Sequence, residues 1–186
     1  PDNYSPRGED TRRGEIVLER GTILGIRHSA LLASLGFGRV PVYPLPKVGL
    51  LSPGDEVVEA EQSPEPHQIR NANAPQTRAQ LRPLDIEPRY YGIVPDDPDT
   101  LEEVLGKAQA ENDLILMSGG VSMGEFDFGP EVFERLGFQI RYDRVAVKPG
   151  RPTTFAISDV ADLFGLPGNP VSCFVIMEVL IKSYLY

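Results

Sequence analysis

The sequence predicts an α/β fold, a mainly parallel sheet with helices on both faces. From residue 47 onward short apolar runs alternate with stretches of helical periodicity, and strand–helix–strand units of this kind close right-handed into parallel sheets. Four polar loops, SPGDE at 52–56, PDDP at 95–98, SGGVSMGEFD at 118–127 and GLPGNP at 165–170, each follow a strand-like run. In an open parallel sheet such loops share the carboxyl edge, where ligands bind. At 186 residues, 41% hydrophobic and 24% charged, the chain suits one full domain with a smaller attached piece and a sizeable core.

Taken in order, residues 1–24 are polar, with a short strand predicted inside GEIVLERGT. A helix is predicted over 27–35, where Ala30, Leu31, Leu32 and Leu35 recur on a helical spacing before Gly36. Pro41, Pro44 and Pro46 then mark an extended connector. The boundary is placed there, with 1–45 a partial preceding domain and 46–186 the main one. Strands are predicted at 48–51, 86–94, 114–117, 138–147, 153–157 and 163–166. Helices are predicted weakly at 73–82, amphipathically at 100–109, and at 130–136. Leu101, Val104, Leu105 and Ala108 share one face of the 100–109 helix, and Thr100 with Glu103 has the spacing of a capping box. A long helix is predicted from Pro170.

The formal charge of −9 without a basic run argues against nucleic acid as a partner, although a local positive pocket could still take a small anion. The single cysteine, Cys173, forms no internal disulfide, fits a reducing, cytoplasmic setting, and reads as a small buried core residue. Residues 171–181 are apolar, but Ser172 and Glu178 interrupt them and the run is short of the roughly 20 residues a bilayer needs, so no membrane partner is expected. The missing initiator Met and the stop within a helical pattern predict a piece of a longer protein.

The four loops carry the candidate chemistry. Gly119 and Gly120 allow a sharp turn and close backbone approach, Ser118 and Ser122 could donate to oxyanions, and Asp127 could hold a metal ion. Asn169 suits a helix N-cap and Pro170 the first helical position, which predicts an anion site at that helix end. The glycine pair alone reads first as an ordinary strand-to-helix turn, and GLPGNP alone is equally compatible with ordinary helix-start chemistry. Asp55, Glu56, Asp96, Asp97 and Asp127 form an acidic set that, if three met, would suit Mg²⁺ with phosphate oxygens; Asp97 reads better as a cap. Cations must balance them, and Arg144, Lys148 and Arg151 are the candidates, with Arg144, Ala146 and Lys148 on one face if that stretch is a strand. His28 and His67 belong to no catalytic pattern, and Tyr90 and Tyr91 read as strand packing.

On these residues the chain resembles the molybdenum insertase family (molybdopterin molybdenumtransferases of MoeA type and the E domain of gephyrin). The resemblance runs through RGED at 7–10, LLASLG at 31–36, PGDE at 53–56, GIVPDDP at 92–98, SGGVSMGEFD, VAVKPGRP at 145–152 and GLPGNPVS at 165–172. It implies a doubly wound, three-layer α/β/α domain and insertion of molybdate into adenylylated molybdopterin with Mg²⁺-assisted adenylate hydrolysis. It also implies a homodimer whose active site lies between domains, so that this piece would bind pterin or nucleotide weakly and not turn over alone. Glu56, Asp96 and Asp127 match functional acids of the family, with Glu56 and Asp127 as the metal ligands. Lys148 matches a lysine near the molybdate, and Arg144 stands where a lysine is usual. Asp55, Ser118, Gly119, Gly120, Val121, Ser122, Gly124, Pro167, Gly168, Asn169 and Pro170 fall on its substrate-binding loops. The chain departs at Pro53, where Thr is usual, at Arg144, whose planar fork differs from an ammonium, and at IRNAN over 69–73, where a DSN-like string is common. Two alternatives stay open: a molybdopterin adenylyltransferase, whose glycine loop usually reads GGTG, and a non-catalytic scaffold of the same fold.

Overall fold

The computed structural model describes residues 4–120 and 129–186. The chain divides into two compact units, Pro1–Tyr43 and Pro44–Tyr186.

In the first unit the helix α1 (Ile26–Ser34) starts after Gly25, whose amide donates to His28 Nδ1 at 2.8 Å, giving that histidine a local structural task. It ends where Phe37 N returns to Leu32 O and Gly36 takes a positive φ of 86°. The strand predicted in GEIVLERGT does not form. Gly14 and Gly21 both adopt positive φ, and the amides of Glu15 and Thr22 close turns onto Arg12 and Glu19. An extended segment gains its hydrogen bonds only from a neighbouring strand, and none pairs with this one among the described residues. A cavity of about 620 Å³ in this unit is lined mainly by apolar groups, among them Val17, Leu18, Leu32, Phe37 and Val40. No residue of the four loops lines it, and it is not the candidate site.

The second unit is built on six strands in the order β4-β1-β5-β8-β7-β6. These are β1 (Val48–Pro53), β4 (Arg89–Val94), β5 (Leu114–Ser118), β6 (Gln139–Tyr142), β7 (Thr154–Ile157) and β8 (Asp162–Leu166). A separate two-stranded pair joins β2 (Val57–Val58) and β3 (Ile69–Arg70). The strands β4, β1, β5 and β8 run parallel, while β7 and β6 add an antiparallel edge. The fold is the mainly parallel α/β architecture that the alternation of elements predicts.

Period-two alternation sorts the core into two layers. Val48, Leu50, Leu114, Leu116, Phe164 and Leu166 face α2 (Asn73–Leu81) and the C-terminal helices. Leu51, Ile115, Met117 and Leu163 face α3 (Pro98–Glu111) and α4 (Gly129–Arg135), where Leu105 and Phe133 are buried. The C-terminal helix begins as α5 (Pro170–Ile176), widens to a π-turn over Met177–Ile181 and finishes as α6 (Lys182–Leu185).

Of the boundaries that differ from expectation, two bear on the candidate residues. The helix predicted to start at Thr100 starts at Pro98, because Asp97 is the cap. Its Oδ2 accepts from Thr100 N at 2.8 Å and from Thr100 Oγ1 at 2.6 Å, and Pro98, lacking an amide, loses nothing at the first helical position. These bonds hold the Asp97 carboxyl below its usual range. The strand predicted over 138–147 stops at Tyr142. The amide of Val145 donates to Arg151 O at 2.9 Å, closing a loop and withdrawing that donor from the sheet. Arg144, Ala146 and Lys148 therefore do not alternate along a strand.

Candidate functional site

The parallel strands bring the described stems of the four predicted loops to one edge. Their stems are tied together: Gly54 N donates to Val94 O, and Gly119 N to Leu166 O, both at 3.1 Å. The glycines are required here. Gly119 has φ of 101°, and a Cβ on it would lie 3.1 Å from Pro53 O. Gly120 has φ of 63°, and its Cβ would meet the Pro53 ring at 3.2 Å. The proline that stands for the usual Thr thus packs directly under the glycine turn.

Beneath this edge lies a cavity of about 330 Å³, at the lower end of the range for small-molecule pockets. Ser52, Glu56, Asn71, Asn73, Ser118, Gly119, Gly168, Asn169 and Pro170 are among its lining residues. Asn73 joins α2 to the PGNP loop, with its Nδ2 donating to Gly168 O at 2.9 Å, and Gln76 Nε2 reaches Pro170 O at 3.0 Å. The Asn73 Oδ1 is buried with no hydrogen-bond partner among the described residues.

The acidic set separates. Asp55 and Asp96 pair reciprocally, each carboxylate accepting from the other's backbone amide at 3.2–3.3 Å. Asp97 caps α3, and among the described members of the set only Glu56 lines the cavity. Among the described residues no three acidic, histidine or cysteine side chains meet as a metal group. Val121, Ser122, Gly124 and Asp127 lie outside the described residues. Pro167 is buried beside the cavity-lining Gly168.

The helix-end anion site expected at α5 is not available in that form. Asn169 Oδ1 accepts from Val171 N at 3.0 Å and Ser172 N at 3.2 Å, Cys173 N donates to Asn169 O, and Pro170 has no amide. The cap satisfies the donors that an anion would use. Cys173 is buried, which pushes its thiol up to about 11, as its expected core role requires. The loop with Lys148 rests on α5, since a Cβ on Gly150 would come within 2.6 Å of Ile176 Cγ1. Lys148 and Arg144 are exposed there and do not line the cavity.

Two sets of polar contacts that the sequence did not reveal lie below the floor. Ser52 Oγ and Ser118 Oγ lie 3.0 Å apart. Nearby, the Tyr90 hydroxyl donates to Glu59 Oε1 at 3.0 Å and accepts from Asn71 Nδ2 at 2.9 Å. Burial, and then the Glu59 bond, push the Tyr90 phenol up to about 12. The available signal was parity: Ser52 and Ser118 continue the faces of Leu50 and Leu116, where a hydroxyl replaces an aliphatic group.

Known proteins resemble this chain over the same elements. A molybdopterin molybdenumtransferase of Bacillus subtilis (strain 168) is 38% identical over 184 residues, covering 99% of this chain and 43% of that protein. The chain thus spans less than half the length of this curated relative. The crystal structure of a molybdopterin biosynthesis moea protein from Pyrococcus horikosii superposes with a TM-score of 0.77 at 31% identity, over 96% of this chain and 44% of that one. A structure named molybdenum cofactor biosynthesis protein B shares the fold, with a TM-score of 0.57 at 15% identity, over 75% of this chain and 90% of that one. Residues 49–186 match the family described as "Probable molybdopterin binding domain", and by that match over most of its length the chain belongs to the molybdopterin-binding domain family.

Proposed function

We propose that this chain is the molybdopterin-binding part of a molybdenum insertase, a cytoplasmic transferase of molybdenum cofactor biosynthesis that takes adenylylated molybdopterin and molybdate as substrates. The observation that carries the reading is the cavity of about 330 Å³ at the carboxyl edge of the parallel sheet, lined by the loops that match the family. In this reading residues 46–186 form the binding domain, residues 1–45 belong to a preceding one, and the whole enzyme is a homodimer.

Ser118, Gly119, Gly120, Val121, Ser122, Gly124, Pro167, Gly168, Asn169 and Pro170 cradle the substrate, with the glycines admitting it close to the backbone. Asp55 holds Asp96 in place through their paired amide bonds. Lys148 and Arg144 supply the positive charge that molybdate needs, in a chain whose net charge is −9. Glu56 already lines the cavity, and with Asp127 it suits Mg²⁺, which takes one or two carboxylates and completes its shell with phosphate oxygens and water. When bound, that ion supplies charge neutralisation at the adenylate phosphate.

Titration of the chain with adenylylated molybdopterin, with and without molybdate and Mg²⁺, tests the reading. Saturable binding of the adenylylated pterin is expected. Transfer of AMP from ATP would assign the chain to the adenylyltransferase step instead, and absence of binding would leave the scaffold alternative.

A further inference from the structure

One wall of the cavity comes from the β2–β3 ribbon and the residues beside it, Glu56, Val57, Ile69, Arg70 and Asn71. The ribbon has two residues per strand, with Ile69 N donating to Glu56 O at 2.7 Å and Asn71 N to Val58 O at 2.8 Å. Both residues of β3 are exposed, and a two-stranded ribbon with so little buried surface does not hold its place unaided. The tie comes from the central sheet. The Tyr90 hydroxyl of β4 donates to Glu59 Oε1 at 3.0 Å and accepts from Asn71 Nδ2 at 2.9 Å. Glu59 follows the last residue of β2, and Asn71 follows the last residue of β3. One hydroxyl therefore grips the carboxyl ends of both strands.

The donor arithmetic closes without surplus. A carboxylate only accepts, a phenol has one proton to give, and a carboxamide both donates and accepts. Glu59 takes the phenol proton. Asn71 Oδ1 is engaged by Ala74 N at 3.1 Å, which leaves Nδ2 to meet the phenol oxygen. An acid at position 71, as in the DSN-like string, would set two carboxylates against one proton and leave one of them facing a bare oxygen. The asparagine is thus matched to Glu59.

We propose that Tyr90, Glu59 and Asn71 are positioning residues of the cavity. The Tyr90 hydroxyl clasps the ribbon, so that Glu56 and Ile69, which is 59% exposed and lines the cavity, keep their places against the bound pterin substrate. Tyr90 and Glu59 lie outside the cavity lining and act through the ribbon. The inference rests on the pterin-binding reading above and adds this clasp to it.

Exchanging acid and amide between positions 59 and 71 tests the clasp. Adenylylated molybdopterin is the titrant, and hydrogen exchange of the Ile69 and Asn71 amides is a readout that needs no ligand. Asn71→Asp is expected to weaken binding about tenfold, the scale of one hydrogen bond, and to speed exchange of those two amides by a similar factor. The Leu116 amide, in the core, should keep its protection. Glu59→Gln alone keeps an acceptor for Tyr90 and is expected to stay within about threefold of wild type, the cost of a neutral acceptor for a charged one. Combined with Asn71→Asp, it is expected to restore both readouts, because the new carboxylate takes the phenol proton and the new carboxamide donates to the phenol oxygen. Tyr90→Phe, which keeps the ring packed on the core, is expected to lose both, and it carries the test if Asn71→Asp does not fold. Persistence of the Asn71→Asp loss in the double variant, or wild-type exchange in Tyr90→Phe, would overturn the clasp alone. Faster exchange without loss of affinity would also overturn it, by separating the ribbon from the site. A wild-type chain that does not bind adenylylated molybdopterin would overturn the functional reading and, with it, the role of the clasp in binding.

Discussion

The two faces of the sheet obey the same alternation and end differently. On the face towards α3 and α4 the residues are Leu51, Ile115 and Met117, and the carboxyl edge closes with Pro53 packed against Gly119 and Gly120. On the face towards α2 and α5 they are Leu50, Leu114 and Leu116, and the edge opens with Ser52 and Ser118. The helices differ in step. The residues of α3 buried against the first face are Leu101, Leu105 and Ala108, whereas α2 buries Asn73, Thr77 and Gln80 along with Ala74 and Leu81. One face is devoted to stability and the other exchanges part of its apolar contact for hydrogen-bonding groups that surround a cavity. Ser52 near the end of β1 and Ser118 at the end of β5, rather than the core below them, bring hydroxyls to the cavity.

That division can be broken from either side. The largest effect is expected from Phe133→Ala on the apolar face. Phe133 is 1% exposed and meets Phe138 edge-on at 6.3 Å between ring centroids. Its loss should lower unfolding free energy by about 3–5 kcal/mol in urea titrations, while pterin affinity at low temperature stays within about twofold, the behaviour expected of distant, independent sites. A parallel loss of affinity would show that the faces are coupled. A smaller effect on stability, about 1–3 kcal/mol, is expected from Gly119→Ala, where positive φ and the 3.1 Å approach to Pro53 O act together. Here affinity should fall with stability, because the turn forms the roof of the cavity. An unchanged affinity would remove the glycine turn from the site.

The smallest effect is an alkaline one and belongs to the α2/α5 face. Tyr90 and Tyr184 are both pushed up to about 12, by burial first and then by bonds to Glu59 and Asp162. The folded chain keeps these protons where the unfolded chain, titrating near 10, loses them. Their stabilisation is thus complete below about pH 10 and declines as pH rises towards 12. Replacing both with Phe should flatten the fall in melting temperature over that range. A profile equally steep in the variant would show that other groups drive it.

Much of the architecture was legible in the residues. Apolar runs such as LILM at 114–117 announced buried strands, and the order of strands and helices announced a parallel sheet with loops on one edge. What misled was chemistry that a local pattern cannot weigh. Thr100 and Asp97 both read as caps of one helix, and only the hydrogen bonds from Thr100 to Asp97 Oδ2 show that Asp97 is the cap and Thr100 lies inside the helix. Residues 143–147 kept a strand-like pattern, but the Val145 amide had found Arg151 O instead of a neighbouring strand. Asn169 was read correctly as a cap, while the consequence that its own side chain would use up the helix amides was not.

By itself the sequence determined the α/β class, the parallel core and the four loops, because periodicity and turn chemistry act over a few neighbouring residues. Only the tertiary structure decided which polar groups meet. Ser52 and Ser118 are 66 positions apart, Asp55 and Asp96 are 41 apart, and Asn73 and Gly168 are 95 apart. The Asn73–Gly168 contact in particular turns a side chain with two possible roles into one whose Nδ2 is a committed donor. Burial makes that assignment lasting, since a buried hydroxyl or carboxamide has no water with which to exchange its partner.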